Sequence, residues 1–297
     1  MRRWALACTL CAFTGAASGQ AWTQSAGSAY VKVSSQWTGA TEQYREDGTR
    51  APYAAGLEAN GFEDRSRYLY AEYGVTGNGT LVVQLAFKDM LVRTPHPQAS
   101  SGLPGTEVPV ERGASGFQQV ALGWRQGLWR RGPHRLALNT SVRIPLAYSR
   151  DEMPALGSGQ ADVDAMLHYG ASLWPFPGYA QAGLGYRLRS GYRALSSGDA
   201  PLPEYGNEWL LHAEGGANLG PVLLQALLFA TLSNQAPATE FDPQNPVPTH
   251  QRYIKTGLGA TAYPVSSIGV SLQVFTTPYG ASTVRSVDWF AGLEARF

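Results

Sequence analysis

Alternation of apolar and polar side chains, repeated from Ala29 to the last residue, constrains this chain more than any other feature. Successive side chains of a strand point to opposite faces, so a period of two held over about eight to twelve residues describes a ribbon with two different surroundings. The first such stretch sets Ala29, Val31, Val33 and Trp37 against Tyr30, Lys32, Ser34 and Gln36. The last sets Val287, Trp289, Ala291, Leu293, Ala295 and Phe297 against Asp288, Phe290, Gly292, Glu294 and Arg296. Between them the same rule holds near 68–75, 80–88, 119–125, 136–144, 162–173, 180–189, 208–214, 222–232, 253–260 and 268–275. The count is about twelve strands, even as single-chain bacterial barrels require. The segment 222–232 is apolar on both faces apart from Gln225 and Thr231, so its register can slip by one residue.

The connections alternate in length. Long ones fall near 39–65, 88–115, 148–159, 190–205, 233–250 and 277–284, and short ones near 76–79, 126–133, 174–178, 218–221 and 263–266. The short ones carry turn chemistry, as in Gly77-Asn78-Gly79 and Pro175-Phe176-Pro177-Gly178. Long outer loops and short inner turns are the habit of outer-membrane barrels. A soluble sandwich would have shorter strands, of about 5–6 residues, and no such alternation of loop length. The expected fold is therefore all-β: a transmembrane antiparallel up-and-down barrel. Trp174, Tyr179, Tyr73 and Tyr263 fall by the short turns, and Trp37, Phe87, Tyr148 and Trp209 towards the long loops, as two interfacial girdles would. The final strand ends on an outward aromatic, Phe297, which is similar to the signal read by the barrel-assembly machinery.

Residues 1–21 have the form of a signal peptide: Arg2-Arg3, a short apolar run from Trp4 to Thr14, and small residues at Ala17-Ser18-Gly19 or Gly19-Gln20-Ala21. Residues 22–297 then form a single barrel domain. Both cysteines, Cys8 and Cys11, lie in the leader, so the mature chain carries no disulfide, thiolate metal site or cysteine nucleophile. Charged residues are only 15% of the chain, and loss of Arg2 and Arg3 leaves 21 bases against 22 acids. With no basic block, nucleic acid is not expected as a partner.

Trp22-Thr23-Gln24, Gly27, Tyr30-Val31-Lys32-Val33 and Tyr70-Ala71-Glu72-Tyr73-Gly74-Val75-Thr76 resemble the opening of a group of uncharacterised Gram-negative outer-membrane proteins. Gly157-Ser158-Gly159-Gln160-Ala161-Asp162-Val163 resembles the start of a middle strand in the outer-membrane family named after the meta-pathway of phenol degradation. That resemblance implies a bacterial outer-membrane barrel and a channel for small organic, often aromatic, solutes. It implies no catalytic residue.

Lumen-facing charges are the functional candidates, because lumen positions tune selectivity. The hairpin about Pro175–Gly178 brings Asp162 and Asp164 towards Arg187 and Arg189, with His168 on the same face. Arg143, Glu208, His212, Glu214 and Lys255 share that parity. They form either a constriction that orients a solute or ion pairs that fill a narrow barrel. Tyr68, Tyr70, Leu210, Leu223, Leu227, Phe229, Phe275 and Phe290 are apolar groups on the lumen side; they line a path for an apolar solute or pack against an infolded loop. An enzyme is not expected: His134, Asn139 and Ser141 share a segment without the His-x-Ser spacing of outer-membrane phospholipases, and the histidines have no zinc-ligand spacing. The sequence implies no cofactor or metal. The expected partners are outer-membrane lipids, the assembly machinery and an unidentified small solute. The function read from the sequence is passive uptake of small organic solutes, hydrophobic or aromatic; the alternative is a non-conducting barrel with a structural or loop-mediated binding role.

Overall fold

A computed structural model describes residues 20–53, 61–95, 109–146, 148, 153–193, 205–235 and 246–297. Most of the expected leader, with Cys8 and Cys11, and much of the loops at 190–205 and 233–250 lie outside these residues. The strands in chain order are β1 (Ala29–Tyr44), β2 (Arg50–Pro52), β3 (Phe62–Asp64), β4 (Arg67–Thr76), β5 (Gly79–Pro95), β6 (Pro109–Arg131) and β7 (His134–Pro145). They continue as β8 (Gln160–Ser172), β9 (Gly178–Arg193), β10 (Glu208–Leu219), β11 (Val222–Ser233), β12 (Arg252–Val265), β13 (Ile268–Ala281) and β14 (Thr283–Arg296).

Every strand from β4 onward pairs antiparallel with the next, and β14 returns to β1 over Tyr30↔Arg296 to Tyr44↔Thr283. Backbone amides of Ala29 and Phe297 each donate to the other's carbonyl, at 3.1 and 2.9 Å. The seam between the first and last strands is thus closed. Fourteen strands make twelve staves: β3 and β4 both bridge β1 and β5 as two halves of one stave, and β2 is a side ribbon on β1. A closed ring is what a strand with one face in hydrocarbon requires, since an unpaired edge there would leave amides and carbonyls without partners.

The outer face follows the alternation. Trp209, Leu211 and Leu219 on β10, Leu184 and Leu188 on β9, and Leu272 on β13 are exposed, with Leu228 and Leu224 continuing the same face on β11. From Trp209 to Leu219 is about 33 Å of strand, which at a tilt of about 40° spans about the 25 Å of an outer-membrane apolar band. Trp37 and Trp289 are paired neighbours towards the long connections, and elsewhere around the ring Phe87 stands edge-on to Phe117 at 5.4 Å and Tyr186 to Trp209 at 4.9 Å. At the opposite end, His134 stacks between Trp129 and Tyr169, and Trp174, Tyr73 and Phe297 are exposed.

Three girdle assignments are corrected. Tyr179 and Tyr263 point inward, because each has a buried carboxylate to serve: Glu214 for Tyr179 and Glu294 for Tyr263. Tyr148 packs against a loop cluster, and its hydroxyl oxygen accepts the Gly159 amide N–H at 2.8 Å. Two connections are also shorter than expected. β5 and β6 stay paired to Pro95↔Pro109, well past the apolar band, and β13 turns directly into β14 at Ser282, whose φ of 49° lets the chain reverse. The β11 register places Leu223, Gln225, Leu227, Phe229 and Thr231 inward, opposite the inward face of β10.

Candidate functional site

The lumen is built from every second side chain, and its charges occur as layers. Towards the long connections, Asp164 accepts from Arg143 Nε at 2.6 Å and from Arg187 Nε at 2.7 Å. Arg187 also donates to Glu208 at 2.7 Å, and Arg189 donates to the other Glu208 oxygen at 3.2 Å. Asp162 faces Arg189 at 3.6 Å. The register explains the arrangement: Asp162↔Arg189 and Asp164↔Arg187 are directly opposed, and Arg187↔Glu208 continues the row onto β10. One oppositely charged neighbour on each side offsets the cost of desolvating these groups.

Nearer the short turns lies a second polar layer. Glu214 accepts from the Tyr179 hydroxyl, from Gln181 at 2.9 Å and from Gln225 at 2.7 Å, with His212 Nε2 at 3.5 Å. On the opposite wall, Arg125 donates to Glu72 at 2.8 Å, to Asn139 at 2.8 Å and to the Tyr70 hydroxyl at 3.2 Å. Apart from both layers, at the height of Phe229 and Phe275, Lys255 donates to Asp288, which also accepts from Thr38 at 2.8 Å. Tyr30 and Tyr263 both donate to Glu294.

Between the layers runs a belt of rings. His168 on β8 meets His212 on β10 with centroids 5.7 Å apart, and His212 stacks on Phe229 of β11 at 4.9 Å. Phe229 meets Phe275 of β13 at 5.7 Å, Phe275 meets Phe290 of β14 at 5.7 Å, and Phe290 meets Tyr68 of β4 at 6.3 Å. The His168–His212 and Phe229–Phe275 contacts each skip a strand that carries a glycine beside the rings. Gly183 of β9 lies opposite both histidines, and a Cβ there would come within 2.4 Å of the His168 ring. Gly257 of β12 does the same for Phe275, at 2.3 Å. Glycine at these two points lets each ring lie flat over the neighbouring backbone. Both ring nitrogens of His168, and Nδ1 of His212, are buried without a hydrogen-bond partner among the described residues.

Two segments reach into the lumen from its ends. Residues 20–24 cross the end near the short turns. Asn139 donates to the Gln20 carbonyl at 2.9 Å, the Ala21 amide donates to Gln181 at 3.3 Å, and Arg125 donates to the Trp22 carbonyl at 2.9 Å. Gln24 donates to Glu72 at 2.7 Å, and its amide donates to Thr80 at 2.8 Å. The Trp22 ring lies over Gly170 and stands edge-on to Tyr179 at 5.9 Å. At the other end Leu156 packs with Ala40, Tyr53, Phe62, Met90 and Val92 in a buried apolar cluster.

Every lumen candidate from the sequence faces inward. Asp162, Asp164, Arg143, Arg187, Arg189 and Glu208 converge; His168, His212, Phe275, Phe290 and Tyr68 join the belt; Glu214 belongs to the second polar layer; Lys255 stands apart from both, beside Asp288; and Tyr70 joins Arg125 and Glu72. The groups that sequence reasoning missed are Glu72, Arg125, Asp64, Lys88, Asp288 and Glu294. The same alternation places Glu72, Arg125, Asp288 and Glu294 on the lumen face, so the signal was available for them. Residues 20–24 and the Leu156 cluster have no period and gave none.

No protein-family model matches the chain, and no curated protein matches it in sequence. Its fold is similar to the COG4313 outer-membrane channel from Pseudomonas putida F1, with TM-score 0.70 and 15% identity over 94% of this chain and 98% of that one. It is also similar to the NanC porin, with TM-score 0.55 and 5% identity over 89% and 98%, and to the KdgM porin, with TM-score 0.50 and 6% identity over 90% and 99%. At these identities the likeness is one of fold: a closed antiparallel β-barrel like those of outer-membrane proteins.

Proposed function

We propose that this barrel lies in the bacterial outer membrane and passes small organic solutes, hydrophobic or aromatic, along its lumen. The belt from His168 to Tyr68 carries the reading. Ion pairs alone would fill a structural barrel, but a run of rings, with glycines placed to seat them, offers an apolar surface where a ring can stack. Channels described as such among the similar folds support the same reading. Phe297, exposed at the seam, fits a strand end delivered by the assembly machinery. Liposome swelling with a panel of sugars, amino acids and aromatic acids tests it: faster swelling with aromatic solutes than with sugars of similar size is expected, and no swelling with any solute overturns it.

A second reading, a non-conducting barrel with a structural or loop-mediated role, is favoured by one observation: both ends of the lumen hold packed segments. It predicts liposomes that do not swell and loops that bind a ligand from outside.

A further inference from the structure

We propose that the solute taken at the belt is an anion, an aromatic ring bearing a carboxylate, and that the Lys255 ammonium receives the carboxylate. The inference rests on the reading of the lumen as a solute path. It comes from how far each charge reaches into that path. Lys255, Arg143, Lys88 and Lys32 keep 28, 27, 21 and 19% of their side-chain surface open to water. Their acidic partners Asp288, Asp164, Asp64 and Glu294 keep only 1, 7, 6 and 6%.

Each pair is therefore oriented, with the carboxylate in the wall and the cation towards the lumen. Oriented pairs can be balanced in total charge and still present one sign to a solute. The four cations sit on β12, β7, β5 and β1, so the positive face is distributed around the barrel. A cavity with low-dielectric walls and one accessible sign concentrates ions of the other sign.

Lys255 is the member that meets the belt. On β12 it is the direct cross-strand neighbour of Phe229, and its Nζ donates to Asp288, the cross-strand neighbour of Phe275. A ring stacked on Phe229 or Phe275 brings its substituent to that ammonium. A carboxylate gains a charge-assisted hydrogen bond there, whereas an alkylammonium meets a like charge and finds the carboxylates buried.

The test uses the refolded mature chain in planar bilayers under a salt gradient, with benzoate, benzyl alcohol and benzylamine as probes. Anion preference in the reversal potential is expected, with current reduced by benzoate well below the concentrations at which the other two act. Lys255→Gln should weaken the benzoate effect by about tenfold. Because that change strands the buried Asp288, Lys255→Gln/Asp288→Asn is measured beside it and should show the same loss. Openings that prefer cations, or equal effects of all three probes, overturn the proposal and leave the solute path standing. A bilayer with no openings overturns both.

Discussion

The segments at the two ends of the lumen are held by opposite chemistry. Towards the long connections the contact is apolar: Leu156 sits among Tyr53, Phe62, Met90 and Val92, and its stability scales with the area removed from water. Towards the short turns it is polar: the carbonyls and amides of residues 20–24 are held by Asn139, Gln181, Arg125 and Thr80. The difference teaches which end can open. An apolar cluster loosens gradually and exposes surface that water penalises. A hydrogen-bonded segment releases groups that water satisfies, so its net cost of opening is about 0.5–1.5 kcal/mol per bond. On this comparison the N-terminal segment should open before the Leu156 cluster does.

The largest expected effect breaks the polar end. Arg125→Met leaves Glu72 charged and buried without its partner, and should lower stability by about 3–5 kcal/mol, read from urea unfolding in detergent micelles. Leu156→Ala should cost about 2–4 kcal/mol through the cavity it leaves. Its signature is faster hydrogen exchange at 153–159 with unchanged exchange at 22–24, whereas Arg125→Met should speed exchange at 22–24 and leave 153–159 unchanged. Gly183→Ala presses a Cβ on His168 and should cost about 1–3 kcal/mol while altering aromatic block of the current, since the belt and not either end is disturbed. The smallest effect sharpens the comparison: Thr80→Ala removes one bond to the Gln24 amide and should cost about 1 kcal/mol, with more frequent openings and no change at the Leu156 cluster.

Much of this was legible from residue spacing. Alternation is a local property, so the staves, their faces and the inward position of Asp164, Arg187 and Phe275 could be read one strand at a time. The Asp162–Arg189 and Asp164–Arg187 pairings were also accessible, because a tight turn sets the register of adjacent strands. The belt was not, since it is made by contacts that skip β9 and β12, and its enabling residues are glycines with no side chain to notice. Tyr68 reaches Phe290 only because the ring closes, which brings the two ends of the chain together. Tyr179 and Tyr263 were misplaced because nearness to a turn sets height along the barrel, whereas parity sets the face. Residues 20–24 lack a repeat, and their bonds run through backbone groups that every residue possesses.

The most direct test of the account is the single-channel conductance of the refolded mature barrel beside the same chain lacking residues 22–28. If the lumen is a solute path closed by a movable polar segment, the full chain opens intermittently and the shortened chain stays open with a larger current. Silence from both would contradict it, because a barrel that remains sealed after the segment is gone has no path for the belt to serve.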